Sequence, residues 1–140
     1  MPFSRTVSQT PGSSKRAIAL KATMYFAFGQ NALIGLRSKT TFQAILNGER
    51  TSTTRFPAWP GYERWRSAKA GDLVRFYEDR HMRGRYVDVI IESVQKIDLA
   101  RCSAEEVAAW SQAEGWSAAY GRQLGQRQGA GLQVRYRPAE

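Results

Sequence analysis

The hydrophobic pattern changes its period several times along the first half of the chain. Residues 24–28 and 32–36 are apolar runs that favour strands, and the Gly-Gln-Asn between them favours a turn. Apolar residues spaced at i, i+3 and i+4 then predict a helix over 38–48. Ser38 is its predicted N-cap and Gly48 its predicted C′ residue, because serine and glycine are preferred at those positions.

The middle of the chain has the composition and alternation of strands. The β-branched residues of 51–56 predict a short strand, and apolar and polar residues alternate over 72–78. Residues 86–97 predict a long strand that is apolar on both sides at its centre. The prolines and glycines of 57–71 predict a loop, and the basic stretch 79–85 predicts a turn.

The C-terminal third predicts helix followed by strand. Residues 103–120 are expected to form one or two helices, and Ser103 with Glu106 has the spacing of a capping box. The glycine-rich stretch 121–131 predicts a mobile connection. Residues 132–137 then alternate as a final strand with apolar residues facing inward.

The order of these elements predicts an α+β fold. Several short strands with few helices close most readily into a small, partly open mixed or antiparallel β-barrel with two or three flanking helices. At 140 residues the chain fits one domain. Residues 24–140 are the predicted extent of that domain, preceded by a basic segment over 1–23 that we expect to be flexible.

Charge narrows the choice of partner. The chain carries 21 Lys and Arg residues against 12 Asp and Glu residues, for a formal net charge of +9 and a pI near 10.2. Most of these cations are arginine, whose planar guanidinium matches phosphate and stacks on bases. A pI this high is typical of nucleic-acid-binding domains, so we expect RNA, a nucleotide or a nucleoside as the partner.

The single cysteine and the single histidine exclude other classes of protein. Cys102 alone cannot build an internal disulfide framework, which fits a reducing compartment and a cytoplasmic location. Because His81 is the only histidine, multi-histidine metal sites are excluded. No apolar run reaches about 18 residues, so we expect no membrane span.

Four stretches of the chain carry a family likeness. They are ALIGLRSKTTFQAILNGERTSTTR at 32–55, GDLVRFYE at 71–78, the valine- and isoleucine-rich strand that follows, and AEGW at 113–116. Together they resemble an ASCH domain, a PUA-like barrel implicated in RNA binding and RNA-linked chemistry. The family pattern Gly-x-Lys-x-x-Glu-x-Arg falls on Gly48, Arg50, Thr53 and Arg55, where the glycine and the final arginine match it. The likeness covers roughly residues 32–137 and implies a PUA-like fold.

The resemblance implies particular chemistry at three positions. Family members that hydrolyse N4-acetylcytidine use a lysine, a threonine and a glutamate, which correspond here to Arg50, Thr53 and Glu114. Arg50 stays charged and cannot serve as a base, but it can hold a phosphate or a carboxylate with two hydrogen bonds. Thr53 and Glu114 remain a candidate nucleophile–base pair. Other members of the family are ribonucleases or RNA-binding proteins.

Two further segments are suited to binding phosphate. The helix start at 37–39 offers free backbone N–H groups to an anion, although Ser38 alone would make an ordinary N-cap. The loop at 55–66 interleaves cations with aromatic rings, the combination that binds single-stranded RNA. Its tryptophans have the alternative role of covering the mouth of the barrel. The candidate binding residues are Arg37, Ser38, Lys39, Arg50, Arg55, Trp59, Arg64, Trp65, Arg66 and Lys69.

Three functions stay open on the sequence. The first is an RNA-binding protein that grips the phosphates and bases of a single strand in a basic cleft, with or without ribonuclease activity. The second is an amidohydrolase acting on N4-acetylcytidine-like nucleosides, and the third is a non-catalytic module for an acidic protein partner. If the protein is an enzyme, we expect a hydrolase. The oligomeric state is left open.

No cofactor is required by any of these functions. A ribonuclease would have the option of Mg²⁺ or Mn²⁺, which prefer carboxylate oxygens. Asp72, Asp88 and Glu92 are the carboxylates to consider, but their spacing defines no recognisable metal site.

Overall fold

The computed structural model describes residues 20–25, 38, 40–79 and 81–139. Five strands and four helices occupy this part of the chain. In chain order they are β1 (Leu20–Tyr25), α1 (Thr41–Leu46), β2 (Ser52–Arg55), α2 (Tyr62–Arg66), β3 (Leu73–Tyr77), β4 (Tyr86–Ile97), α3 (Ala104–Glu114), α4 (Ala118–Gln128) and β5 (Gly131–Pro138). In these ranges, no helix combines the length and the apolar character needed to cross a membrane.

The five strands form one mixed sheet in the order β1-β3-β4-β5-β2. β1 runs parallel to β3, and every other pairing is antiparallel. The long strand β4 pairs with both β3 and β5, and its register against β5 shifts between Ile91 and Ser93. Such a shift bends a strand and increases its twist, which helps the sheet to curl. The predicted α+β class is confirmed, with four helices in the described ranges instead of two or three.

The strands predicted from alternation are confirmed. β2, β3 and β5 fall within or around their predicted ranges, and β4 has the predicted bounds of 86–97. Val74 and Phe76 are buried in β3, as the alternation requires. β1 begins at Leu20, so the strand crosses the predicted boundary between residues 23 and 24. The strand predicted over 32–36 lies outside the described residues.

Helix α1 begins two residues later than predicted from an N-cap at Ser38. Thr40 is the N-cap, because its hydroxyl accepts a hydrogen bond from the Gln43 N–H at 3.1 Å. The assignment of Ser38 as N-cap is therefore wrong; its N–H and hydroxyl both donate to the carboxylate of Glu49. Gly48 follows the C-cap with φ 75°, as predicted for a C′ glycine.

Two helices occupy segments that the sequence predicted as irregular. The loop over 57–71 contains α2, whose Trp65 is fully buried and packs edge-on against Phe76 with ring centroids 5.9 Å apart. The stretch 121–131, predicted to be a mobile connection, lies mostly in α4. Its glycines allow close packing: a Cβ on Gly125 would lie 2.3 Å from the backbone nitrogen of Ala100.

Apolar side chains form two buried clusters, and β2 lies between them. The barrel cluster contains Phe42, Ile45, Leu46, Trp65, Ala68, Val74, Phe76, Val87, Val89, Ile91, Val134 and Tyr136. The helical cluster contains Phe56, Leu99, Val107, Trp110 and Leu124. Thr53 pairs with Val134 of the barrel cluster, whereas Thr54 contacts Trp110 of the helical cluster. Because successive strand residues point to opposite faces, β2 presents hydroxyl groups to both sides.

Candidate functional site

The site is built around β2, an edge strand of the sheet that carries three buried hydroxyl residues. Ser52, Thr53 and Thr54 are each 4% exposed or less. Serine and threonine hydroxyls are the only side-chain polar groups that these positions offer, so each must find hydrogen-bond partners inside the protein. The partners come from charged residues at either end of β2, from α3 and from β5.

Two arginine side chains meet at the hydroxyl of Thr53. Arg50, only 4% exposed, donates from Nη2 to Thr53 Oγ1 at 3.1 Å and from Nε to the backbone oxygen of Ser52 at 3.0 Å. Arg55 donates from Nη1 to the same Thr53 oxygen at 2.8 Å and to the backbone oxygen of Thr54 at 3.1 Å. A hydroxyl has two acceptor lone pairs, and both are directed to guanidinium N–H groups here.

Glu114 is fixed to the other face of β2. It is the last residue of α3 and is 1% exposed. Its Oε2 accepts from Ser52 Oγ at 2.9 Å and from Thr54 Oγ1. Its Oε1 lies 3.9 Å from Nη2 of Arg50, which reaches both faces because it precedes the edge strand.

Two further side chains complete this buried network. Trp110 Nε1 donates to Thr54 Oγ1 at 3.0 Å, and Gln133 Nε2 donates to Ser52 Oγ at 3.2 Å. The hydroxyls of Ser52 and Thr54 therefore each accept one hydrogen bond and donate one to Glu114. This pattern fixes the hydroxyl orientations and makes the carboxylate their common acceptor.

The electrostatics of the network follow from burial. Burial raises the pKa of Glu114 above its ordinary value, against the opposing effects of Arg50 and of the hydrogen bonds from Thr54 and Ser52. The pKa of Arg55 is lowered to about 10, mainly by burial and to a smaller extent by the nearby charge of Arg50. Burial also raises the pKa of Tyr136, whose hydroxyl lies 3.5 Å from the backbone oxygen of Ser52. The buried carboxylate of Glu114 thus acts on both guanidinium groups.

The fold brings together four of the five residues that the family likeness singled out, all except Gly48. Arg50, Thr53, Arg55 and Glu114 lie in one network, although Glu114 is distant from the others in sequence. Within the described contacts, however, Glu114 bonds Ser52 and Thr54 instead of Thr53. Thr53 has guanidinium donors where a nucleophile would need a proton acceptor.

The aromatic and cationic loop divides into core and surface residues. Trp65 is fully buried, so the expectation that its ring is available to stack on a base is wrong. Trp59 is half-buried and meets Phe56 edge-on at 4.9 Å. A Cβ on Gly61 would lie 3.8 Å from Arg55 Nε, so the loop that carries Trp59 passes beside Arg55.

The remaining candidate cations lie on or near α2. Arg64, Arg66 and Lys69 are exposed, and Arg66 forms an ion pair with Glu63 at 2.6 Å. Surface pairs of this kind contribute little to stability and leave the cation accessible. Arg37 and Lys39 lie outside the described residues, and Ser38 bonds Glu49 as stated above.

The carboxylates considered for a metal are occupied by other partners. Asp88 forms a two-fold hydrogen-bonded ion pair with Arg75 at 2.7 and 3.0 Å, and Glu92 lies 3.6 Å from Arg137. Asp72 accepts from the backbone N–H of Lys69. In the part of the chain that the structure describes, no three His, Cys, Asp or Glu residues are grouped as metal ligands.

The sequence did not point to four uncharged residues of the network. The predicted site residues included Thr53 but none of Ser52, Thr54, Trp110 and Gln133. The hydroxyls of Ser52 and Thr54 had one available signal. A strand with polar residues on both faces needs buried hydrogen-bond partners if neither face is exposed to solvent. Burial on both faces is a tertiary property, which alternation alone does not report.

Comparison with known structures identifies the fold. An Enterococcus faecalis protein assigned to DUF984 is similar over 89% of this chain and 82% of its own, with 14% identity and a TM-score of 0.55. The ASCH domain from Lactobacillus crispatus is similar over 84% of this chain and 78% of its own, with 13% identity and a TM-score of 0.53. No protein-family model and no curated protein matches the sequence significantly. The chain therefore has the fold of an ASCH domain, as the resemblance of its sequence predicted.

Proposed function

We propose that this protein binds single-stranded RNA and that Arg55 holds a phosphate group at the edge of β2. The observation that carries the proposal is the meeting of two guanidinium groups at Thr53, close to the carboxylate of Glu114. Arg50 is too deeply buried to be the main contact, so it adds positive potential behind Thr53. Arg55 is only partly buried and has the planar fork that fits a phosphate.

The energetics favour an anionic ligand. Placing two cations close together in a partly desolvated region raises the free energy of both charged forms. The lowered pKa of Arg55 reflects this cost, with burial and the charge of Arg50 as the two largest causes. An anion bound beside Arg55 would offset both effects, and a phosphate carries the charge without requiring another buried side chain.

The charge of the whole chain supports the same class of ligand. The net charge of +9 favours a polyanion, and the sequence contains no acidic residue before Glu49. Exposed arginines and a lysine on α2 and the turn after it would add contacts to neighbouring phosphates. RNA is preferred to a single small anion because one phosphate site would not require this excess of surface cations.

The test is binding of fluorescently labelled single-stranded RNA by anisotropy between about 50 and about 200 mM salt. The affinity should fall steeply with salt, with a log–log slope near −0.7 for each phosphate contacted. Arg55→Gln should weaken binding and reduce the magnitude of the slope by about 0.7. Thermal melting of the variant should show that it is folded.

Arg83→Gln provides a matched control for the loss of one positive charge. Arg83 is exposed in the β3–β4 turn, whereas Arg55 pairs through Leu132 with Lys96 near the other end of β4. The two arginines therefore lie toward opposite ends of β4. Absent or salt-independent binding would refute the proposal, as would equal losses in Arg55→Gln and Arg83→Gln.

The convergence of Thr53, Glu114 and residue 50 favours a second candidate, hydrolysis of N4-acetylcytidine-like nucleosides. The guanidinium of an arginine has no acceptor atom with which to serve as a base. Arg50→Lys would place a titratable amine at the same position, where burial lowers the pKa of an ammonium group. Cytidine release from N4-acetylcytidine by Arg50→Lys would support the second candidate. No release by either the wild-type protein or this variant would remove it.

A further inference from the structure

The four tryptophans divide into two structural groups. Trp65 and Trp110 are buried, one in the barrel cluster and one in the helical cluster. Trp59 and Trp116 are half-buried and pack against the helical cluster from outside. A large aromatic ring left partly in contact with water retains apolar surface that a ligand can cover.

Trp116 is held in place at the junction between α3 and α4. Gly115 ends α3 with φ 82°, and the backbone oxygen of Trp116 accepts a hydrogen bond from Ser111 Oγ. The ring of Trp116 lies 5.3 Å from the ring of Tyr120, with an angle of 51° between their planes. A ring fixed by its own turn and by an aromatic neighbour loses little conformational entropy when a ligand binds.

This aromatic pair adjoins the arginine site through the helical cluster. Trp116 is two residues from Glu114, and it packs on the cluster that contains Trp110 and Phe56. Trp110 donates a hydrogen bond to Thr54, and Phe56 directly follows Arg55. The same cluster therefore supports the aromatic surface and the strand that presents Arg55.

We infer that Trp116, with Tyr120 beside it, is a stacking surface for a nucleobase of the bound RNA. The inference rests on the proposed function, because Arg55 supplies the phosphate contact that accompanies the stacked base. Every base has a flat π-face, and aromatic rings next to cations are the usual means of holding single strands. Trp116 thus takes the base-stacking role for which the sequence suggested Trp65.

The test compares single-stranded RNA with an oligonucleotide of the same length whose bases are replaced by abasic spacers. Trp116→Leu should weaken RNA binding by between about 5-fold and about 150-fold, the range expected for one stacked base. The same variant should bind the abasic oligonucleotide as the wild-type protein does, with an unchanged salt slope, because phosphate contacts are intact. Trp116→Phe should retain most of the affinity for RNA.

A measurement on the wild-type protein covers the case in which Trp116→Leu does not fold. Stacking on an indole quenches its fluorescence, so RNA should quench tryptophan emission and the abasic oligonucleotide should not. Trp59→Phe removes the other half-buried indole, and quenching that persists in this variant is assigned to Trp116. Quenching that disappears in Trp59→Phe would overturn the inference.

The two proposals fail in different ways. If the wild-type protein binds no RNA, or if Arg55→Gln has no effect, the proposed function fails. Suppose instead that RNA binding depends on Arg55, but Trp116→Leu weakens the binding of RNA and of the abasic oligonucleotide equally, or changes neither. The stacking surface is then overturned and the proposed function stands.

Discussion

Replacement of Glu114 by alanine should destabilise the protein severely, because its carboxylate is the common acceptor of a buried network. The change leaves the hydroxyls of Ser52 and Thr54 without their acceptor and removes the anion 3.9 Å from Arg50. Removing one member of a buried ion pair costs about 3–5 kcal/mol. For a domain with a total stability of about 5–15 kcal/mol, this is a large fraction.

Glu114→Gln should be milder, and its effect should depend on pH in a defined direction. The amide keeps the shape and one acceptor oxygen, so we expect a cost on the order of 1 kcal/mol. Burial raises the pKa of Glu114 above its ordinary value near 4.5, so the folded state binds this proton more tightly than the unfolded state. Tighter binding of this proton in the folded state makes its full contribution to the free energy of unfolding below about pH 4.5. That contribution is lost as pH rises through the folded-state pKa. Glutamine does not titrate, so the free energy of unfolding of Glu114→Gln should increase relative to that of the wild-type protein as pH rises.

Urea denaturation from about pH 4.5 to about pH 8 measures both effects, and the linear extrapolation gives the free energy of unfolding at each pH. Other titrating groups are shared by all variants, so they cancel in the difference from the wild-type protein. Glu105→Ala and Glu105→Gln are the matched controls, since Glu105 is exposed in the first turn of the same helix. The controls should cost at most about 1 kcal/mol. Equal costs for Glu114→Ala and Glu105→Ala, or a Glu114→Gln difference that does not change with pH, would refute the reasoning.

Three other changes test the packing around the site. Thr53→Val removes the oxygen on which both guanidiniums converge and should destabilise by about 1–3 kcal/mol, measured by urea denaturation; an unchanged midpoint would count against the network. Gly125→Ala should lower the melting temperature despite a helix-propensity gain of about 1 kcal/mol, because its Cβ would lie 2.3 Å from the Ala100 nitrogen; a higher melting temperature would contradict this packing. Ser103→Ala should cost about 1 kcal/mol by removing the capping box with Glu106, and circular dichroism melts that show no loss would argue against the cap.

The sequence predicted the local structure wherever one periodicity decided it. β4 has the predicted bounds, and the capping box at Ser103 is present because both partners lie within one helical turn. Gly48 was identified because a positive φ after a helix favours glycine whatever the surroundings. These features depend on neighbours in sequence, so the sequence is sufficient to find them.

The wrong predictions for α4 and for Trp65 share one physical cause. In both cases tertiary contacts overrode the structure or role that the residue type usually indicates. Glycine usually disfavours a helix, but Gly125 lies within α4, where the absence of a side chain lets the backbone of Ala100 pack closely. An aromatic ring among arginines suggested base stacking, yet Trp65 faces inward because α2 turns it onto Phe76. Composition reports which groups are available and does not report which way they point.

The sequence by itself determined the positions of β2, β3, β4 and β5, the net positive charge, and the candidate residues implied by the family likeness. Only the tertiary structure decided how those residues act. It brought Glu114 to Ser52 across 62 positions in sequence, and it directed the carboxylate to Ser52 and Thr54 and both arginines to Thr53. Alternation along β2 fixes which hydroxyls share a face, but the helix that covers a face is chosen by long-range packing.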